Sequence, residues 1–157
     1  MNLHPNARRV QDALVAAGVE GRVRELDASA RTSAEAADAL EVEVGQIAKT
    51  LVFLADGRPV VVIASGSDRV DTAALARVAE VDKVKRADAD AVKAATGYSI
   101  GGVSPAGLPR GVEVFIERGL SRYEIIWAAA GTHNAVYPTT FTDLVSVTGG
   151  LVVDVAE

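Results

Sequence analysis

Two uninterrupted apolar runs, Leu51-Val52-Phe53-Leu54 and Val60-Val61-Val62-Ile63-Ala64, flank the turn-forming stretch Asp56-Gly57-Arg58-Pro59. Runs this short and this rich in β-branched residues read as strands, and apolar residues at consecutive positions place them well inside the molecule. A turn sequence between two such runs predicts a β-hairpin. Whatever else the chain builds has to form around that buried hairpin.

The flanking sequence supplies both helices and further strands. Residues 3–18 read as a helix, with Val10, Leu14 and Val15 near one face, Pro5 in the first turn and Gly18 as the stop. Residues 22–28 alternate like a strand. Thr32-Ser33-Ala34-Glu35 fits a capping box that opens a helix running to Leu40, and a short helix is expected over 43–48. Asp71 and Asp88 each have the short acceptor side chain that caps a helix, the first running to about residue 78 and the second stopping at Gly97. Strands are expected over 81–87, 112–117, 124–130 and 151–155, and a short helix over 140–147. Strand and helix do not alternate regularly. The pattern therefore predicts an α/β fold with a mixed sheet surrounded by helices, in a single domain covering residues 1–157, rather than a doubly wound parallel sheet.

Composition narrows the chemistry. The 157 residues are 49% hydrophobic, enough for one buried core, but only 4% aromatic. There is no cysteine, which excludes a disulfide framework, a thiolate zinc site and a cysteine nucleophile together. The two histidines have no paired spacing, so neither a metal nor a cofactor is expected. A net charge of −5 argues against general nucleic-acid affinity, which comes largely from neutralised phosphates. DNA is not an expected partner, and RNA contact would need a local basic patch such as Arg8, Arg9, Arg22 and Arg24, or Lys83, Lys85, Arg86 and Lys93. No apolar run follows the first charges and no stretch of about eighteen apolar residues occurs, so a cytoplasmic location without membrane contact is expected.

Four segments have side chains or backbone suited to chemistry. Lys49 is expected at the junction of the 43–48 helix and the first apolar strand, where a lysine either snorkels to water or projects a three-donor charge into a cleft. The loop Thr96-Gly97-Tyr98-Ser99-Ile100-Gly101-Gly102-Val103-Ser104-Pro105-Ala106-Gly107 has four glycines in twelve residues, which lets its backbone approach a ligand or simply turn. Ser65-Gly66-Ser67-Asp68 follows a strand end, where small hydroxyls line pockets or cap loops. Gly131-Thr132-His133-Asn134 holds a histidine that is either a proton carrier or a loop residue without a role. No Gly-x-Ser-x-Gly elbow and no Walker loop is present. From the residues alone the reaction stays open.

Taken together, Gly45-Gln46-Ile47-Ala48-Lys49-Thr50-Leu51-Val52-Phe53, then Val62-Ile63-Ala64-Ser65-Gly66, then Thr96-Gly97-Tyr98 through Gly102-Val103-Ser104-Pro105 resemble the YbaK/ProX family in order and spacing over nearly the whole chain. The resemblance implies a fold like the editing domain of some bacterial prolyl-tRNA synthetases and hydrolysis of the ester joining an amino acid to tRNA. It implies a catalytic role for Lys49 and for the loop at Gly101 and Gly102. Substrate contacts would come from Thr50, Ser65, Tyr98, Ser104, Pro105, Gly131 and His133. The expected substrate is a mischarged aminoacyl-tRNA at its 3′ end, Cys- or Ala-tRNA(Pro), with prolyl-tRNA synthetase as a candidate partner. The alternatives are a non-catalytic module that binds aminoacyl-tRNA or a nucleotide, and an unrelated esterase with His133 as base.

Overall fold

The computed structural model describes residues 2–157. At its centre is the expected hairpin. Strand β2 (Ile47–Ala55) pairs antiparallel with β3 (Arg58–Ser65) from Ala48 opposite Ser65 to Ala55 opposite Arg58. The loop between them is Asp56-Gly57, with φ of +49° and +87°. Two consecutive left-handed residues are what a two-residue hairpin needs to match the twist of its strands, and Asp-Gly supplies them with little strain.

The remaining elements are α1 (Pro5–Ala16), β1 (Arg24–Glu25), α2 (Ser33–Leu40), α3 (Thr72–Ala79), β4 (Val84–Arg86), α4 (Ala89–Thr96), β5 (Glu113–Glu117), β6 (Ile126–Ala129), β7 (Ala135–Thr139), α5 (Phe141–Thr148) and β8 (Leu151–Val153), with 3₁₀ turns at Val44–Gln46 and Arg118–Arg122. The strands form one sheet in the order β1-β7-β6-β2-β3-β5-β8, and β4 pairs with β2 off that path. β6 and β5 run parallel to their hairpin neighbours and β8 parallel to β5, while β4, β7 and β1 pair antiparallel. The sheet is mixed and helices surround it, as the irregular element order predicts.

Both hairpin faces are covered, which is why its strands are apolar at nearly every position. Ala48, Val52, Val61 and Ile63 pack with Val10 and Leu14 of α1, Val92 of α4 and Leu144 of α5. Phe53, Ala55, Val60 and Val62 point the other way, onto Leu75 and Ala79 of α3. Ala36 and Ala37 of α2 close over Ile47. The starts of α2, α3 and α4 are those the sequence marks. Thr32 and Glu35 form a reciprocal capping box, and Asp71, Asp88 and Thr140 accept from the free amides of α3, α4 and α5.

Three elements differ from the sequence reading. The 43–48 helix is only the 3₁₀ turn Val44–Gln46, because Ile47 and Ala48 pair with Trp127 and Ala128 and so extend β2 backwards. Lys49 therefore lies inside a strand rather than at a junction. The strand expected over 22–28 is only Arg24–Glu25. Strand β7 has no counterpart in the sequence reading, since Pro138 argues against a strand; it is tolerated because β1 pairs only with Ala135 and Val136 and stops short of it.

Candidate functional site

β3 flanks β2 along its length, but the opposite side of β2 is covered only at its ends. β6 pairs with Ile47 and Ala48, and β4 with Phe53, Leu54 and Ala55. Residues 49–52 thus face a gap in the sheet, closed at one end by the Ala87 N–H bonding the Val52 carbonyl at 3.1 Å. A cavity of about 370 Å³ fills this gap. Its walls include Arg31 and Thr32 ahead of α2, Trp127 of β6, Arg86 of β4 and Gly101 of the glycine-rich loop.

Successive side chains of a strand leave on opposite faces, so Lys49 and Thr50 reach this cavity from opposite sides of the sheet. The Lys49 Nζ donates to the Asp68 carbonyl. Burial lowers its pKa from the usual lysine range; the Asp68 carboxylate opposes that shift, and the positive charges of Arg86 and Arg69 add to it. The Asp68 carboxylate is engaged by Arg122 at 3.5 Å. The Thr50 Oγ1 is buried without a partner. Backbone groups two residues apart in a strand point the same way. Because the Val52 carbonyl points into the gap, so do the N–H and C=O of Thr50, and neither has a backbone partner among the described residues. A half-open strand edge of this kind is a ready acceptor and donor for a polar ligand.

The glycine-rich loop is held from beneath. Tyr98 is fully buried, its hydroxyl donating to the Ala106 carbonyl at 2.7 Å. The Arg9 guanidinium lies 4.6 Å from the centre of its ring and also donates to the carbonyls of Thr96 and Gly107. Burial pushes the Tyr98 phenol up to about 12, so it remains a neutral donor. Ser104 accepts from the Ala106 N–H at 3.1 Å, and Pro105 is buried next to it. Gly101 stands at the cavity with φ +89°, where an added Cβ would come within 2.6 Å of the Arg31 Cγ. The Gly102 N–H is already donated to the Ser99 carbonyl at 3.0 Å, and a Cβ there would crowd the Thr132 backbone at 3.0 Å.

Of the residues singled out from sequence, Lys49, Thr50 and Gly101 come together at the cavity, while Gly102 lies behind it. Tyr98, Ser104 and Pro105 support the loop from outside the wall. Ser65 is buried and donates to the Gly45 carbonyl at 2.7 Å. Gly131, with φ +92°, packs against the start of α1, its carbonyl accepting from the Asn6 side chain at 3.2 Å. The His133 side chain is exposed and off the wall, and its carbonyl accepts from the Ala30 N–H at 2.6 Å. That bond, with Asn134 donating to the Leu26 carbonyl at 2.9 Å, fixes Arg31 at the cavity. Arg31 and Trp127 were not singled out from sequence, and the contacts that place them run between distant segments without a local signature. Among the described residues no group of three or more His, Asp or Glu side chains is arranged to hold a metal, and no helix is long and apolar enough to cross a membrane.

The aminoacyl-tRNA editing domain matches residues 27–147, a span that includes every wall of the cavity. The chain belongs to the aminoacyl-tRNA editing domain family. Within that family it is 30% identical over 115 residues to an Enterococcus faecalis protein provisionally named the Cys-tRNA(Pro)/Cys-tRNA(Cys) deacylase EbsC, covering 73% of this chain and 70% of that one. It is 31% identical over 87 residues to the proline–tRNA ligase of Leuconostoc citreum, a match covering 55% of this chain and 15% of the ligase. A crystal structure of a protein proposed as a trans-editing enzyme for prolyl-tRNA synthetase superposes with a TM-score of 0.92 at 38% identity, covering 99% of each chain. The mixed α/β architecture is therefore that of an editing domain.

Proposed function

We propose that this editing-domain protein hydrolyses the ester linking an amino acid to the 3′ end of a mischarged tRNA, acting in trans in the cytoplasm, with Cys- or Ala-tRNA(Pro) as substrate. The observation that carries the proposal is the convergence of Lys49, the unpaired groups of Thr50 and the Gly101 backbone on one cavity. An ammonium has three protons, and Lys49 commits one to the Asp68 carbonyl. The others, with the Gly101 amide, are available to the ester carbonyl oxygen as it gains negative charge. The Gly102 amide is not available for this, because Ser99 holds it.

The nucleophile is a water or, for a cysteine substrate, its own side-chain thiol, brought to the carbonyl carbon by the fit of the cavity. Addition gives a tetrahedral oxyanion. Its collapse breaks the bond to the ribose oxygen, which leaves as the hydroxyl of tRNA after taking the proton that the nucleophile gave up, so that water yields the free amino acid and a cysteine thiol a cyclic thioester. The Thr50 carbonyl, which has no backbone partner among the described residues, is free to accept from the α-ammonium. Trp127, Ile47 and Ala129 make the wall largely apolar, and no carboxylate lines it, which suits a small uncharged side chain. Size alone gives only about 1–3 kcal/mol of discrimination per methylene, so Cys and Ala are close competitors. The likeness to a proline–tRNA ligase and to a protein named for Cys-tRNA(Pro) supports tRNA(Pro) as the carrier and prolyl-tRNA synthetase as a partner.

The test is deacylation of tRNA(Pro) charged separately with Cys, Ala, Ser, Thr and Pro. Release of Cys or Ala, with Pro-tRNA(Pro) left intact, is expected. Binding without release from any of the five would instead identify a non-catalytic module.

A further inference from the structure

The cavity wall carries three cations, Lys49, Arg31 and Arg86, and no carboxylate, in a chain with 21 acidic and 16 basic residues. That single sign sets the cavity apart from the net acidic chain around it. Five of the twelve arginines have an ion-pair or hydrogen-bond partner among the described residues: Arg58, Arg118 and Arg122 pair with Glu113, Asp154 and Asp68, and Arg9 and Arg22 donate to backbone carbonyls. Among the described residues the guanidinium groups of Arg31 and Arg86 have neither an acid nor a hydrogen-bond acceptor.

Both are nevertheless held in place. The Arg31 stem lies against Gly101, where even a Cβ would collide with it. The Arg86 guanidinium stands 5.6 Å from the centre of the Phe53 ring, an attraction that positions the charge without neutralising it. Arg86 is also near enough to Lys49 to disfavour its proton. Ser33, the first residue of α2, stands in the same wall, while the amides of Thr32 and Glu35 are taken up by the capping box. Like charges gathered around one opening repel each other, and an anion that enters relieves the repulsion.

We infer that Arg31 and Arg86 form a phosphate clamp for the phosphodiester that precedes the terminal nucleotide of the aminoacylated RNA, leaving Lys49 to the ester. The inference rests on the deacylase reading above and divides its labour. A planar guanidinium can grip phosphate oxygens in a bidentate fork from the exposed positions of Arg31 and Arg86, while the half-buried ammonium stays tied to the Asp68 carbonyl. The clamp also explains how an acidic protein binds an RNA end without broad affinity for nucleic acid: it needs one phosphate, not many.

The experiment compares wild type, Arg31→Gln, Arg86→Gln and the double variant on two substrates, an aminoacyl-tRNA and the same amino acid esterified to adenosine without any phosphate. The wild-type preference in kcat/KM for the phosphate-bearing substrate is expected to fall at least tenfold in each single variant, chiefly through KM. An unchanged preference would overturn the clamp, because a loss shared equally by both substrates means only a disturbed cavity. Binding of the phosphate-bearing trinucleotide CCA, followed by fluorescence anisotropy against salt, keeps the test independent of turnover. Each lost arginine should weaken it at least tenfold and reduce the slope of log K against log salt by about 0.7. Equal affinity and slope in all four proteins would sink the clamp. Failure of wild type to release any amino acid, with the trinucleotide results as expected, would reject the deacylase reading and leave the clamp standing.

Discussion

The Lys49 ammonium donates to the Asp68 carbonyl from a half-buried site where burial disfavours its proton and only Asp68, among the charges acting on it, favours it. A lysine whose native pKa lies below its unfolded value of about 10.5 destabilises the fold while it is charged, and stability rises with pH through the window between the two values. Lys49→Met should therefore melt at or above the wild-type temperature at pH 7 while losing turnover; thermal denaturation with a deacylation assay checks both. The same shift sets the alkaline limb of activity. If the protonated lysine meets the ester oxygen, kcat/KM, corrected for spontaneous ester hydrolysis, should fall as pH rises through a value below 10.5. Gly101 makes a second prediction at this scale. At φ +89°, with the Arg31 stem against it, Gly101→Ala must strain the loop and displace Arg31. A stability loss of about 1–3 kcal/mol with a raised KM is expected in denaturant melts and steady-state assays.

At the scale of elements, the site depends on β2 having neighbours only at its two ends on one side. The hairpin and the caps of α2, α3 and α4 are legible in the sequence because Asp-Gly, Thr32, Asp71 and Asp88 each act on adjacent amides. The backward extension of β2 through Lys49 is not legible, since it follows from pairing with Trp127, far away in the chain. Nor is β7, whose Pro138 argues locally against a strand. The gap between β6 and β4, the feature that makes the cavity, exists only in the three-dimensional arrangement of all three strands. The α2 cap links stability to the site. Thr32→Ala should cost about 1 kcal/mol in a denaturant melt, and because Thr32 stands in the cavity wall it should also raise KM for aminoacyl-tRNA.

For the molecule as a whole, residues 31, 49, 86, 101 and 127 meet at one opening although no two of them lie within the same local motif. The family resemblance located Lys49 and the glycine-rich loop, but Tyr98, Ser65, Ser104 and His133, which also carry recognisable signatures, are placed by the fold beneath or beside the cavity. Local motifs mark both the residues that line the cavity and those that hold the loop beside it, and only the packing separates them. An acidic surface with a cationic cavity is suited to a ligand that presents one anionic end. The most direct measurement is single-turnover deacylation of Cys-tRNA(Pro) and Ala-tRNA(Pro) by wild type and Lys49→Met, both verified as folded. A donor role for Lys49 requires the variant to lose at least about 10²-fold of the rate on the substrate wild type prefers, the scale of losing an oxyanion donor. Wild-type rates in folded Lys49→Met would contradict it.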